Sequence, residues 1–286
     1  MNTSIIDKEY WTTIITPQKK FIDINLVEVW RYRDLIYRLV HKEFVSKYKQ
    51  TILGPLWFFI QPLMMSIVFT IVFNQIANIP TDNVPPMMFY LSGLLAWNYF
   101  SESLNKTAST FISNVSIFGK VYFPRLCVPI SIAITNLLTL GIQMILFIFF
   151  YIYFLLKGAP IKPTIWILSL PFLIVQVAVL GLGVGIWISS LTTKYRDLRF
   201  TVTFLTQLWM YATPIMYPIS QVPEKWHWIL WLNPMTGIVE TFKVATLNTG
   251  LININYLIVS LIMTLSILLS GLVIFTHIEK TFMDTV

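Results

Sequence analysis

Ser113-Asn-Val-Ser-Ile-Phe-Gly-Lys-Val-Tyr-Phe-Pro-Arg125 is a short break between two long apolar segments, yet it carries Ile117, Phe118, Val121, Tyr122 and Phe123. A loop facing only water has no use for that surface. Apolar side chains displayed outside a membrane mark a contact with another protein, and a stiff connector between two spans is a mechanically effective place to push. The flanking segments decide the class. The chain is 56% hydrophobic and 12% charged with a mean hydropathy of +0.70, and its apolar runs repeatedly reach the roughly 20 residues a helix needs to cross a bilayer core. The sequence predicts an all-α polytopic membrane protein.

Working back from the connector, the preceding span covers about residues 87–108 and places Glu102 and Lys106 four residues apart, in the favourable order for a pair on one helix face. Both lie near the connector end of that span, which favours a structural or snorkelling role over an ion pathway. A short loop, residues 79–86, carries no positive charge. The first span, about residues 54–74, begins at Gly54-Pro55 and contains Pro62, which bends a helix unless a neighbour satisfies the freed carbonyl. Residues 26–50 form an amphipathic helix. At about 100° per residue, Leu26, Trp30, Tyr37, Phe44 and Tyr48 share one face, while Arg31, Arg38, Lys42 and Lys49 share another. Such a helix lies in the membrane interface. Its basic stripe suits anionic headgroups or, more sharply, a phosphorylated lipid substrate, with Arg33 as the first candidate for a phosphate contact beside Arg31 and Arg38. Residues 1–25 are charged and lack the apolar core of a cleavable signal peptide, so a cytoplasmic N-terminal segment is expected.

Beyond the connector, whose helix is expected at 113–124, a third span (126–156) ends in a run of aromatic residues. The fourth (164–191) contains Gly181-Leu-Gly-Val-Gly185, the spacing of a close helix contact and not of a nucleotide loop, since no strand precedes it. The charged turn at residues 193–199 gives Arg196 and Asp197 as a second touch-point for the same partner. A fifth span (200–217) ends in Thr213-Pro-Ile-Met-Tyr-Pro218. The apolar pieces of residues 222–250 are too short to cross and are divided by Pro223, Asn233-Pro234 and Gly237. Two short re-entrant helices fit them, tolerated at membrane depth only where protein or a cavity surrounds them, with Trp226, Trp228 and Trp231 at headgroup level; a surface-lying aromatic belt is the alternative. The sixth span covers about residues 256–275, before a polar tail, residues 277–286.

Six spans put both termini on one side. Lysines and arginines number nine before Gly54, two in the connector, three in the 193–199 turn and one in the tail, against Lys157, Lys162, Lys225 and Lys243 on the other side. That asymmetry places the connector and both termini in the cytoplasm. Absences restrict the chemistry. There is no Walker-type phosphate loop. His41, His227 and His277 are scattered, with no acids at metal-ligand spacing, and the lone Cys127 gives neither an intrachain disulfide nor a thiolate cluster. No nucleophile, base and orienter set can be assembled, and the net charge of +7 needs no nucleic-acid partner. Catalysis by this chain alone is not expected.

Gly54-Pro-Leu-Trp-Phe-Phe-Ile-Gln-Pro62, Lys120-Val-Tyr-Phe-Pro-Arg125, Tyr195-Arg-Asp-Leu198, Thr213-Pro-Ile-Met-Tyr-Pro218 and Asn233-Pro-Met-Thr-Gly-Ile-Val-Glu240, in this order, resemble the type-2 ABC-transporter permeases that export O-antigen, capsules and teichoic acids. The resemblance covers nearly the whole chain. It implies a homodimer in the bacterial inner membrane, a coupling helix seated in a separate ATPase, paired gate helices before the last span, and a polymer carried on a lipid diphosphate. Two ATPase chains would bind ATP and Mg, leaving this chain without a cofactor. On that reading Ile117, Phe118, Lys120, Val121, Tyr122, Phe123, Arg196 and Asp197 meet the ATPase. Arg31, Arg33 and Arg38 receive the lipid diphosphate. Trp226, Trp228, Trp231, Asn233 and Pro234 form the outer gate. A channel for a long glycan must grip sugars weakly at many points, and the candidate aromatic faces are Tyr90, Trp97, Tyr99, Phe100, Trp209, Tyr211 and Tyr217, for each of which lipid contact or core packing is an equal reading in a chain that is 15% aromatic. A small-molecule exporter of the same superfamily and a membrane-embedded transferase of lipid-linked sugars are the alternatives.

Overall fold

The computed structural model describes residues 26–49, 51–195, 197–250 and 254–285, and among these the chain is helical with no strand. In chain order the helices are α1 (Leu26–Arg31), α2 (Arg33–Tyr48), α3 (Trp57–Phe69), α4 (Pro86–Ala108), α5 (Thr110–Phe118), α6 (Cys127–Leu156), α7 (Leu170–Lys194), α8 (Leu198–Tyr211), α9 (His227–Leu232), α10 (Pro234–Leu247) and α11 (Ile254–Thr285). Among the described residues four helical stretches are long and apolar enough by themselves to cross a membrane: Gly54–Ile76, Cys127–Leu156, Ile165–Thr193 and Ile254–Glu279. The first combines α3, which runs through Pro62, with a π-helical turn at Thr70–Ile76.

The remaining two predicted spans differ from simple lipid-facing helices, each for a physical reason. α4 is the centre of the bundle. Every residue from Met88 to Phe100 except Asn98 is buried, so its serines, asparagines, Glu102 and Lys106 meet protein and its surface need not match lipid. α8 has 14 residues, about 21 Å at the usual helical rise, and ends at Tyr211 instead of Tyr217. Thr213 precedes Pro214, and the proline ring disfavours helical backbone at the residue before it.

The glycines of α7 set the closest approaches. Gly181 and Gly185 face α4, where an added Cβ would lie 3.1 Å from Ser103 Cβ and 2.5 Å from Thr107 Cβ. Gly183 faces the opposite way, 3.0 Å from the Leu268 Cα of α11, and Gly271 of α11 would meet the Gly183 carbonyl at 2.9 Å. The expected close helix contact is therefore two contacts back to back, with α7 gripped between α4 and α11. Small residues permit this because dispersion and backbone proximity replace the hydrophobic effect in a bilayer.

Other boundaries move. The predicted interface helix is interrupted at Tyr32 (φ −90°, ψ 19°). The connector helix ends at Phe118, leaving residues 119–126 as a turn, because Pro124 and Gly119 interrupt regular helix. The last helix continues to Thr285 in place of the expected polar tail.

Gly185→Ala should destabilise the detergent-solubilised protein by about 1–3 kcal/mol, as overpacking does, whereas Gly141→Ala, which meets no atom within 4 Å, should be nearly neutral. Thermal unfolding of both variants checks this.

Candidate functional site

At the connector end, an apolar cluster joins three parts of the chain. Val29 of α1, Phe111 and Phe118 of α5, Phe123, Leu126 and Cys127 around the turn, and Phe275 of α11 are all buried together. Phe111 stacks on Phe275 with ring centroids 4.8 Å apart, and Phe118 meets Phe123 at 5.6 Å. The Arg125 guanidinium donates to the Glu279 carbonyl and lies 5.7 Å from the Phe118 ring, while the Arg125 backbone N–H donates to Glu279 Oε1 at 3.1 Å. Burial lowers the Arg125 pKa, and the Glu279 charge opposes that shift. Tyr122 donates to Glu28 Oε1 at 3.4 Å; although the side chain is largely exposed, its hydroxyl pKa is raised, by partial desolvation first and by the Glu28 charge next.

The connector residues thus divide. Phe118 and Phe123 are internal anchors and are not presented to a partner, Ile117 is half-buried, and Lys120, Val121 and Tyr122 are exposed, the last two at 59% and 68%. Apolar spacing alone cannot tell the anchors from the displayed residues. Thr192 near the end of α7 donates to the Ala108 carbonyl at 2.8 Å, bringing the charged turn beside the start of α5. Asp197 is exposed at the N-terminus of α8, and Arg196 lies outside the described residues.

The interface helix is stapled to the bundle by charge. Lys47 Nζ lies 2.9 Å from Glu102 Oε1 and donates to Asn136 Oδ1 (3.2 Å) and Thr139 Oγ1 (3.1 Å). Lys106 bridges Glu43 at 2.7 Å and Glu102 at 3.4 Å. The predicted Glu102–Lys106 pair is half of a four-charge network spanning α2 and α4 and reaching α6. Burial lowers the Lys47 pKa while Glu102 holds it up. Glu43 and Lys47 lie too far in sequence from Glu102, Lys106, Asn136 and Thr139 for these pairings to be read from it.

This packing corrects the predicted apolar face. Val29, Leu35, Ile36, Leu39 and Val40 turn inward, and Phe44 stacks on Phe58 at 5.7 Å, whereas Trp30 and Tyr37 are exposed. Arg31, Arg33 and Arg38 are exposed on that outward side. Arg38 joins Asp34, Tyr37, His41 and Lys42 around a depression of about 540 Å³, which Arg31 and Arg33 do not line.

At the far end, α10 is buried along its entire length, from Pro234 to Leu247. A helix end leaves four N–H or four C=O groups without partners, and here neighbouring residues supply them. Asn233 Oδ1 accepts from the Met235 N–H (3.0 Å) and from Trp209 Nε1 (2.9 Å), and its amide donates to the Ala212 carbonyl and Thr213 Oγ1. At the other end Thr164 donates through its N–H to Ala245 and through its hydroxyl to Val244, both at 3.0 Å. Asn248 closes the turn in the left-handed region (φ 55°). Pro234 starts the helix, where its missing N–H costs nothing.

Lys243, counted in the sequence among the charges facing the far side, is only 1% exposed. Its ammonium donates to the Pro214 carbonyl, lies 3.4 Å from Glu240 Oε1 and sits 3.8 Å from the Phe89 ring centroid. The pair ties α10 to the Thr213–Pro218 segment and to α4. The i, i+3 spacing of Glu240 and Lys243 was the available signal. Gly250 (φ 95°) closes over the pair, since a Cβ there would lie 2.7 Å from Glu240 Oε2.

Most of the predicted channel aromatics are core. Tyr90, Trp97, Tyr99 and Phe100 are all on α4 and buried, because α4 is packed on nearly every side. Tyr99 donates to the Ala133 carbonyl at 3.1 Å, and Trp209 meets Phe100 edge-on at 5.0 Å. Tyr211 is 56% exposed, and the half-buried Tyr217 donates to its carbonyl at 3.1 Å. Trp226, Trp228 and Trp231 are exposed, while Asn233 and Pro234 are buried in the α10 cap. Among the described residues no three His, Cys, Asp or Glu side chains lie close enough to hold a metal ion.

Among the described residues the chain is an all-helical bundle with four stretches long and apolar enough to cross a membrane, as a polytopic membrane protein requires. The profile of the ABC-2 type transporter family matches residues 34–247, and the chain belongs to that family. An O-antigen export system permease protein RfbA from Klebsiella pneumoniae is 27% identical over 251 residues, covering 88% of this chain and 94% of the relative. An RfbA from Myxococcus xanthus is 29% identical over 227 residues, covering 77% and 83%. The polysialic acid transport protein KpsM of Escherichia coli is 22% identical over 248 residues, covering 85% and 93%.

Asn233→Ala should cost about 1–2 kcal/mol through the lost cap alone and more through the stranded Trp209 indole. Phe118→Ala should cost about 3–5 kcal/mol, as for other buried phenylalanines. Both are checked by thermal unfolding of the purified protein.

Proposed function

We propose that this chain is the membrane permease subunit of an ABC exporter that carries a lipid-diphosphate-linked polysaccharide, O-antigen in the first instance, across a bacterial inner membrane. The observation that carries the reading is the near end-to-end match to relatives named for O-antigen export and polysialic acid transport. ATP and Mg belong to two copies of a partner ATPase, which supply the work.

The geometry supports an account of how that work enters. Lys120, Val121 and Tyr122 form the exposed ridge for the ATPase, and the internal anchors Phe118 and Phe123 pass its displacement to α1 and α11. Two copies of this chain form the channel. The outward face of α8, with Phe200, Phe204, Leu205, Leu208 and Tyr211 all exposed, is the seam between them and supports α8 as a membrane segment despite its length. With α4 and α8 counted, six spans place both termini in the cytoplasm, and α9 and α10 act as the re-entrant outer gate. Arg31, Arg33 and Arg38 guide the lipid diphosphate at the cytoplasmic interface, where each adds roughly 1 kcal/mol of attraction to anionic surfaces.

Deleting the gene in its host should leave lipid-linked polymer accumulating inside and remove it from the surface. Normal surface polymer, with no second exporter present, would overturn the reading. The Val121→Ala, Tyr122→Ala double variant should retain the wild-type unfolding temperature but lose co-purification of the ATPase.

A further inference from the structure

The far end holds a cavity of about 670 Å³, inside the roughly 300–1,000 Å³ typical of small-molecule sites. Three separate segments build it: the turn after the π-helical stretch (Asn78, Ile79), the end of the irregular segment after α8 (Tyr217), and the approach to α9 (Gln221, Trp226), with Leu230 as the buried floor. Among the described residues no charged side chain lines it. We propose that this cavity is a saccharide subsite, holding an uncharged sugar ring of the polymer at the outer mouth; the inference rests on the polysaccharide reading above.

The chemistry of the lining selects that ligand class. A sugar ring presents apolar C–H faces and hydroxyls that both donate and accept. Trp226, 48% exposed, and Tyr217 offer flat rings for the first. The Tyr217 hydroxyl is already used, donating to the Tyr211 carbonyl, so its contribution is the ring. Carboxamides both donate and accept and match the second. Gln221 is exposed and its side chain has no hydrogen bond among the described residues, while the Asn78 amide makes only a long 3.5 Å contact to the Ile76 carbonyl. A phosphate or carboxylate would call for cations in the lining, and an acyl chain for no carboxamides.

The walls are braced before any ligand arrives. Asn74 donates to the Ile79 carbonyl at 3.1 Å, His227 Nε2 to the Val222 carbonyl at 2.9 Å, and Ser220 to Asp82 Oδ1 at 3.1 Å, the last joining the loop before α4 to the approach to α9. Such bracing lowers the ordering cost of binding, which lets a few contacts hold a ring briefly, as conduction requires.

The test uses the full-length permease in lipid nanodiscs and short oligosaccharides released from the host's own surface polymer, read by saturation-transfer difference NMR. Transfer to sugar-ring protons is expected for wild type and for Phe149→Ala, an exposed position on α6 away from the cavity. It should fall about fivefold in Trp226→Ala, the scale of one lost aromatic contact, and also in Gln221→Ala, which removes no buried group. Equal transfer in wild type and both cavity variants, or no transfer at all, would overturn the subsite. So would quenching of Trp226 by brominated acyl chains, measured as the difference between wild type and Trp226→Phe, because lipid would then occupy the cavity. If gene deletion abolishes surface polymer while these variants bind normally, the subsite alone falls. If deletion leaves surface polymer intact, the polysaccharide reading falls with it.

Discussion

A helix that touches almost no solvent must find every polar partner inside the protein, and α10 is the helix on which that constraint falls hardest. Each orphaned backbone group left buried would cost about 1–3 kcal/mol, and membrane surroundings offer no water to relieve it. Asn233 at one end and Thr164 with Asn248 at the other meet much of that requirement, supplying partners for the Met235 and Thr236 N–H groups and the Val244 and Ala245 carbonyls. In doing so they fix where the neighbouring pieces lie: Asn233 also holds the Trp209 indole and the Ala212 carbonyl, and Thr164 brings the segment before α7 against the α10 C-terminus. The far end of the bundle is arranged around one short helix that could not exist there alone.

Lys243 carries the same logic to charge. A buried ammonium is tolerated only with good partners, and the Glu240 carboxylate, the Pro214 carbonyl and the Phe89 ring provide them from three parts of the chain. The irregular segment Thr213–Pro218 is therefore held to α10 by an ion instead of by a helical hydrogen-bond ladder. A region with prolines at both ends can remain non-helical and still be well placed.

The opposite end meets a different constraint, how to hold a short irregular turn in one place. Phe118 and Phe123 root it in the same apolar cluster as Val29 and Phe275, and Arg125 fastens it to Glu279. The Lys47–Glu102–Lys106–Glu43 network binds the interface helix to α4 in parallel. The exposed Val121 and Tyr122 are thereby joined to α1 and α11 through packed side chains, and α7 is wedged between α4 and α11 by its alternating glycines.

Sequence by itself determined the helical membrane class, the breaks at prolines, the connector, the close contact at Gly181 and Gly185, and the order of motifs that resembles the export permeases. These follow from local composition and spacing, which act over a few residues. It could not distinguish Phe118 from Tyr122, or Tyr90 from Tyr211, because an apolar residue has the same periodicity whether it faces lipid, a partner or its own core. Nor could it find Glu102 as the partner of Lys47, or the Pro214 carbonyl and the Phe89 ring beside Lys243, which come from segments dozens of residues away. Those choices were made by the tertiary structure: once α4 is enclosed by α3, α6, α7 and α10, its aromatics must fill the core, and any charge caught beside it must be paired where it lies.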